Sequence, residues 1–334
     1  PQGDQGPQGA GAGGPLSSET VTGTGALSTS VQLSYISGSV HALPIAPAGT
    51  QKTIINLNDF VFSKVQTNSA VYPGQVGSIA YDSVNNRIWV AGGFSGMDGV
   101  ANTNAVCYYD TASSTWVSVG GANNDVTKLY IPAGTATVYA TGFFTSIGGV
   151  SARYIAKYSG GAWSALGTGL DTYQTYGYGD TMVLVGSTLY IVGQFSSAGG
   201  ASFTNNIAKW DGSSWSGVGN ANLAAYGTCL AWDASSSMLY IGGNFNNVGG
   251  VSNTRYLARW DGTNWTGYGD NQLTNGRVYT MKLLPNGKLF IGGEFTQLGS
   301  ATLYSTAVIT LAPVFANSTF ANYGYGYSYP TFAY

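Results

Sequence analysis

Side chains suited to acid–base or metal chemistry are scarce in this 334-residue chain. His41 is the one histidine, so neither a multi-histidine zinc or copper site nor a triad that needs a second histidine can be assembled within it. The fourteen acids include two glutamates, Glu19 and Glu294. Asp110, Asp211 and Asp261 recur at one position of an internal repeat, and Asp82 and Asp233 at another. That recurrence points to turn geometry, because a catalytic carboxylate pair is a single convergent feature. Glu294 differs: its place is taken by Gly93, Phe143, Gln194 and Asn244 in the other copies. It is the acid expected either to face an open pocket as a binding residue or to sit solvated at the surface. Cys107 and Cys229 lie about two and a half repeats apart and are expected to be buried and unbridged. A phosphate-binding loop and a dinucleotide fingerprint are both missing from the sequence. The expectation is a protein that is not an enzyme and has no catalytic residue, metal or cofactor.

The repeat supplies the elements that must position any site. Phe94, Phe144, Phe195, Phe245 and Phe295 are spaced by 50, 51, 50 and 50 residues. A Gly-Gly turn follows as Gly148-Gly149, Gly199-Gly200 and Gly249-Gly250, degrading to Asp98-Gly99 in the first copy and Gly299-Ser300 in the last. A late tryptophan recurs as Trp116, Trp163, Trp215 and Trp265, with Phe315 at the equivalent place in the fifth copy. Each period holds short alternating or apolar runs bounded by Gly, Asp and Asn, and no apolar i, i+3, i+4, i+7 stretch. Four short strands per period of about 50 residues is the arrangement of a propeller blade. The expected fold is all-β: a β-propeller with four antiparallel strands in each blade.

Clear repeats are placed at 70–120, 121–168, 175–219, 224–269 and 274–319. A faded copy at 31–66 aligns Ile54 to Asp59 and Phe62 to Val65 with Ile207 to Gly212 and Trp215 to Val218. This favours six blades within 31–319, with five as the alternative. Residues 320–334 are rich in tyrosine, and Tyr323, Tyr325, Tyr327 and Tyr329 alternate along one strand face. They would form a latch on the propeller or an aromatic interface.

Charged residues make up 8% of the chain and the net charge is −2. Without a basic run, nucleic acid and anionic membranes are poor partners. No apolar stretch approaches the ~20 residues of a membrane-spanning helix. Gly3, Gly6 and Gly9 open the chain with a three-residue period, filled by Pro, Gln and Asp. Residues 1–14 therefore look like the end of a collagen-like stalk, since only glycine fits the axis of that triple helix. Residues 15–30 read as a linker. Asn264 and Asn317 begin the tripeptides of N-glycosylation acceptors. Trp210, Trp215, Trp260 and Trp265 are candidate stacking surfaces for a glycan, although tryptophans that follow a repeat more often fill the space between blades.

The pattern Gly-Gly-x-Phe-x-x-x-Gly-Gly … Trp-Asp-Gly-x-x-Trp, clearest from Gly242 to Trp265, resembles the kelch-like propeller repeats of extracellular proteins, including fungal cortical bud-site markers. The resemblance covers about residues 76–315 and implies a propeller without implying one activity. A collagen-like stalk before a β-rich head also resembles surface fibres of giant viruses and phages. Those resemblances imply a structural or attachment protein on a virion or cell surface, a homotrimer through its stalk. Its partner would be a surface receptor or a glycan. The alternative is a carbohydrate-binding propeller, and a glycan-active hydrolase or lyase is a third reading.

Overall fold

The structure, a computed structural model, describes residues 74–311 apart from 173–177, 220 and 268–273. It also describes the backbone of five further short strands outside that range. The chain divides into two compact units, Pro1–Thr67 and Asn68–Tyr334.

The second unit is a β-propeller built of four-stranded antiparallel sheets, five of them among the described residues. The first sheet orders Val76–Asp82, Arg87–Gly92, Val106–Asp110 and Thr115–Ser118 as neighbours. The second has Val126–Tyr130, Val138–Gly142, Ile155–Ser159 and Ala162–Ala165, and the third Tyr178–Val185, Thr188–Gln194, Ile207–Trp210 and Trp215–Ser216. The fourth has Gly227–Asp233, Met238–Gly243, Leu257–Trp260 and Trp265–Thr266. The fifth has Val278–Leu283, Lys288–Gly293, Thr306–Thr310 and Phe320–Ala321. Its outermost strand thus lies beyond Phe315, where the sequence pattern places it. The first strands of successive sheets pack side by side and form the inner layer.

Local chemistry explains each element. The five aligned phenylalanines are all buried, each worth roughly 1.5–3 kcal/mol of removed apolar surface. The Gly-Gly doublets take positive φ at both residues, as at Gly148 (57°) and Gly149 (77°). They close a small hairpin, Ser146–Ile147 on Val150–Ser151 in the second copy, with the turn type that matches strand twist. In the first copy Asp98 adopts φ 50° instead, a conformation Asp tolerates better than most side chains. The recurring aspartates do serve turns. Asp110, Asp211 and Asp261 accept backbone N–H bonds from residues two and three further on, Ala112 and Ser113, Ser213 and Ser214, Thr263 and Asn264. Asp82 binds the N–H groups of Val84 and Asn85 in the same way. The backbone N–H groups of Ser214 and Ser213 hold the Asp211 carboxyl well below its usual range.

Successive sheets are tied at both depths. Near the periphery the indole N–H of Trp163, Trp215 and Trp265 donates to the carbonyl of Val119, Leu166 and Val218 of the preceding repeat, at 2.9, 2.8 and 2.9 Å. Toward the inner layer the hydroxyls of Thr141, Thr181 and Thr228 donate to the carbonyls of Gly179, Thr228 and Val278 of the following sheet. The two end faces differ from the interior. Val76, Ile79 and Tyr81 on the first inner strand are 49, 67 and 57% exposed, whereas the aligned Val126 and Leu129 of the second sheet are buried.

In the region of the faded copy, Leu33–Ile36 pairs with Ser39–Ala42, and Ser18–Val21 with Lys52–Ile55. These are two two-stranded ladders. Ser37-Gly38 is a two-residue turn signal, and a local hairpin costs less loop entropy than pairing with a distant third strand. Residues 31–66 fall in the first unit, and the five four-stranded sheets are those found among the described residues. His41 lies on one of these ladders, opposite Ser34. The collagen-like start, Tyr323, Tyr325, Tyr327, Tyr329 and Asn317 lie outside the described residues.

Trp215→Phe keeps the apolar ring but leaves the Leu166 carbonyl without its donor. It should lower stability by about 1–2 kcal/mol in urea unfolding, with similar losses for Trp163→Phe and Trp265→Phe. No loss in any of the three would show that these bonds are replaced by water.

Candidate functional site

The site begins with a steric requirement. Gly92, Gly142, Gly193, Gly243 and Gly293 lie at or one residue before the end of the second strand of their sheets, directly against the start of the inner strand. A Cβ at these positions would lie 1.8, 2.1, 2.2, 2.6 and 1.9 Å from the carbonyl oxygens of Gln75, Asp125, Tyr178, Tyr226 and Arg277. Only glycine allows that approach. The next residue then bonds across it: Gly93, Phe143, Asn244 and Glu294 donate their N–H to the carbonyls of Gln75, Asp125, Tyr226 and Arg277 at 2.8 to 3.0 Å. Each inner strand also carries a register shift here, leaving Gly77, Thr127, Asp180, Thr228 and Tyr279 as the bulged residues. Bulges re-aim side chains at strand ends.

This frame presents a different pair of side chains in every copy, although a tyrosine opens the inner strand in both the third and the fourth. The residues that open the inner strands are Gln75, Asp125, Tyr178, Tyr226 and Arg277, and those that close the second strands are Gly93, Phe143, Gln194, Asn244 and Glu294. They line an arc of equivalent places in successive sheets, and some of them touch. The Asp125 carboxylate occupies the space over Gly93. The Phe143 ring meets Tyr178 edge-on at 5.3 Å, and the Tyr178 hydroxyl donates to Gln194 at 3.4 Å. Burial raises the pKa of Tyr178, and Asp180 and Tyr226 raise it further. Arg277 and Glu294 approach at 3.8 Å, with side chains 44 and 61% exposed. Glu294 holds the Tyr279 pKa up, and Arg277 partly opposes it. Glu294 is therefore neither isolated nor merely solvated: it is the outer member of an Arg–Tyr–Glu cluster.

Asp180 is the unusual group beneath the arc. It is the bulged residue of the third inner strand, and burial pushes its pKa up to about 7, with Lys128 of the neighbouring inner strand partly opposing that.

The tryptophans singled out from sequence are not on this arc's surface. Trp215, Trp260 and Trp265 are buried, and Trp210 is half-buried. Trp210 packs on Trp215 and Trp260 on Trp265, with centroids 5.3 and 5.2 Å apart. Asn264 is exposed in a turn. Cys107 and Cys229 are free and buried. Among the described residues no group of three or more His, Cys, Asp or Glu side chains is placed to hold a metal. Sequence reasoning found Glu294 and missed Tyr178, Asp180, Tyr226, Arg277 and Tyr279. Their signal is the loss of repeat identity on either side of an unvarying glycine.

No protein family matches this sequence, and no curated protein does either. Solved structures similar to it include the extracellular domain of the hybrid two component system BT4673 from B. thetaiotaomicron, at 12% identity and TM-score 0.47. That similarity covers 83% of this chain, which spans only 32% of the other. A chain of the Mitotic Checkpoint Complex is 13% identical with TM-score 0.46, over 85% of this chain and 73% of that one. YCF48, solved bound to D1 peptide, is 11% identical with TM-score 0.43, over 92 and 85%.

The Asp180 carboxyl yields a pH prediction. Between the unfolded value of roughly 4 and the native value of about 7, the native state holds a proton that the unfolded chain has released. Stability then falls as pH rises through that window. Asp180→Asn should leave the melting temperature nearly unchanged at about pH 4 and raise it at about pH 8. A melting profile that Asp180→Asn does not flatten would show the carboxyl to be solvated.

Proposed function

We propose that this chain is a non-enzymatic surface protein, the head of a fibre on a virion or cell, whose propeller serves as an interaction platform for attachment or assembly. The observation that carries this reading is the strand-end arc: five sheets repeat one backbone frame, while the pair of side chains it displays differs in every copy. Residues that build the fold recur, and those freed from that role have diverged. Such loops and strand ends on a rigid scaffold are where propellers and other superfolds carry function. The repeated aspartates are committed to turns, which leaves the arc as the place where unrepeated chemistry is concentrated.

The fibre part rests on the Gly3, Gly6, Gly9 period and on a chain with 8% charged residues. A stalk of this kind delivers three heads to one point, so weak contacts at each rim would add as avidity. Stacking of a glycan on Trp215, Trp260 and Trp265 is not favoured, because packing between sheets occupies those rings.

The test is light scattering together with circular dichroism on the chain produced with any residues that precede Pro1, with and without the Gly-X-Y segment. The expected mass is three times that of one chain, with a collagen-type spectrum, both lost on deleting the Gly-X-Y segment. A monomer without that spectrum would sink the fibre reading.

A further inference from the structure

The arc from Phe143 to Glu294 has the chemistry to recognise one class of ligand, and this step rests on the platform reading above. We propose that it binds a neutral oligosaccharide, held across the third, fourth and fifth sheets by Tyr178, Tyr226 and Tyr279 with Gln194, Asn244 and the Arg277–Glu294 pair.

Four features of the arc point that way. Its aromatic residues are half-buried or exposed at a surface: Phe143, Tyr178 and Tyr226 are partly accessible and Tyr279 is exposed. A tyrosine ring offers an apolar face to the C–H side of a sugar and a hydroxyl at its edge. Beside these rings stand planar polar groups. The amides of Gln194 and Asn244 each carry donors and an acceptor, the Glu294 carboxylate accepts at two oxygens, and the Arg277 guanidinium donates in a fork. Neighbouring hydroxyls on a sugar are both donors and acceptors, so each planar group can take two of them at once.

The charges are matched locally. Arg277 faces Glu294 at 3.8 Å. An anionic ligand would meet the carboxylates of Asp125 and Glu294, and a cationic one would meet Arg277. A neutral ligand pays neither cost.

The backbone edge is closed. The N–H groups of Phe143, Asn244 and Glu294 already donate within their own sheets. A peptide bound by strand addition needs such groups free. Recognition here is left to side chains, which suits a hydroxyl-rich ligand better than an extended peptide.

The experiment is an array of immobilised neutral, sialylated and sulfated oligosaccharides probed with the labelled full chain. Positives would be followed by titration of Tyr226→Ala, Tyr226→Phe, Tyr279→Ala, Glu294→Gln and Tyr81→Ala, each checked by thermal melting. Neutral glycans should bind. Tyr226→Ala and Tyr279→Ala should each weaken binding about tenfold or more, and Tyr226→Phe and Glu294→Gln by several-fold. Tyr81→Ala, which removes an exposed tyrosine at the far end of an inner strand, should have no effect. An array that is silent, or that responds only to acidic glycans, would overturn the proposal. So would equal loss in Tyr81→Ala, which would mark the signal as general aromatic adhesion. A trimer with a silent array would leave the fibre reading standing without this ligand, and a monomer that binds neutral glycans would do the reverse.

Discussion

The structure turns on a contact between two backbones. At the end of each second strand a glycine passes so close to the inner strand that even a methyl group would overlap its carbonyl oxygen. The residue after it then completes a hydrogen bond across the gap. One missing Cβ thus sets three things together: the bulge in the inner strand, the closed backbone edge, and two outward positions free of any duty to the fold. A substitution at that glycine would force the strands apart and lose all three. Substitutions at the outward positions cost the fold little, which is why Gly93, Phe143, Gln194, Asn244 and Glu294 can replace one another from sheet to sheet.

The sheets must also hold one another, because a four-stranded sheet of this size cannot bury both faces alone. Hydrophobic packing supplies most of that energy but is not directional. Register between sheets comes from directional bonds. A tryptophan N–H reaches back to the preceding repeat, and a threonine hydroxyl reaches forward to a carbonyl of the following inner strand. The threonine bonds land on the bulge, at the Thr228 carbonyl or beside it at Gly179 and Val278. The deformation that frees the rim positions therefore also offers carbonyls to a neighbour, and rim geometry and sheet spacing are fixed by the same atoms.

What was legible in the sequence follows from this division. Phe144, Gly148-Gly149, Trp163 and the turn aspartates repeat because each copy needs the same packing or the same turn. Periodicity exposed them, and with them the four-stranded sheets. Leu33 to Gly38 resembles a second strand in apolar alternation and turn residues, a pattern that a local hairpin satisfies equally well. The arc was nearly invisible. Tyr178 and Tyr226 match each other but not the other three copies, and Arg277 stands alone, so a five-copy repeat does not mark them. Their proximity depends on bulges that no spacing reveals. Glu294 could be noticed only as an exception to its column. The same column, read beside the unvarying glycine, contains the rest of the site.

The position of the arc along the series of sheets has an energetic consequence. In a repeat array the stability of each unit is roughly its own plus that of its interfaces with its neighbours. The second, third and fourth sheets each have a neighbour on both sides. The first sheet leaves Ile79 exposed where the interior sheets bury its counterparts Leu129, Met182 and Leu230. The aromatic part of the arc, Phe143, Tyr178 and Tyr226, stands on those three interior sheets. The Arg277–Tyr279–Glu294 cluster stands on the fifth, whose outward Phe290 is also exposed. A rigid aromatic platform is thereby joined to a charged cluster on a less firmly held sheet. Holding the rings fixed while letting the polar groups adjust is an arrangement that keeps the ordering cost of binding low.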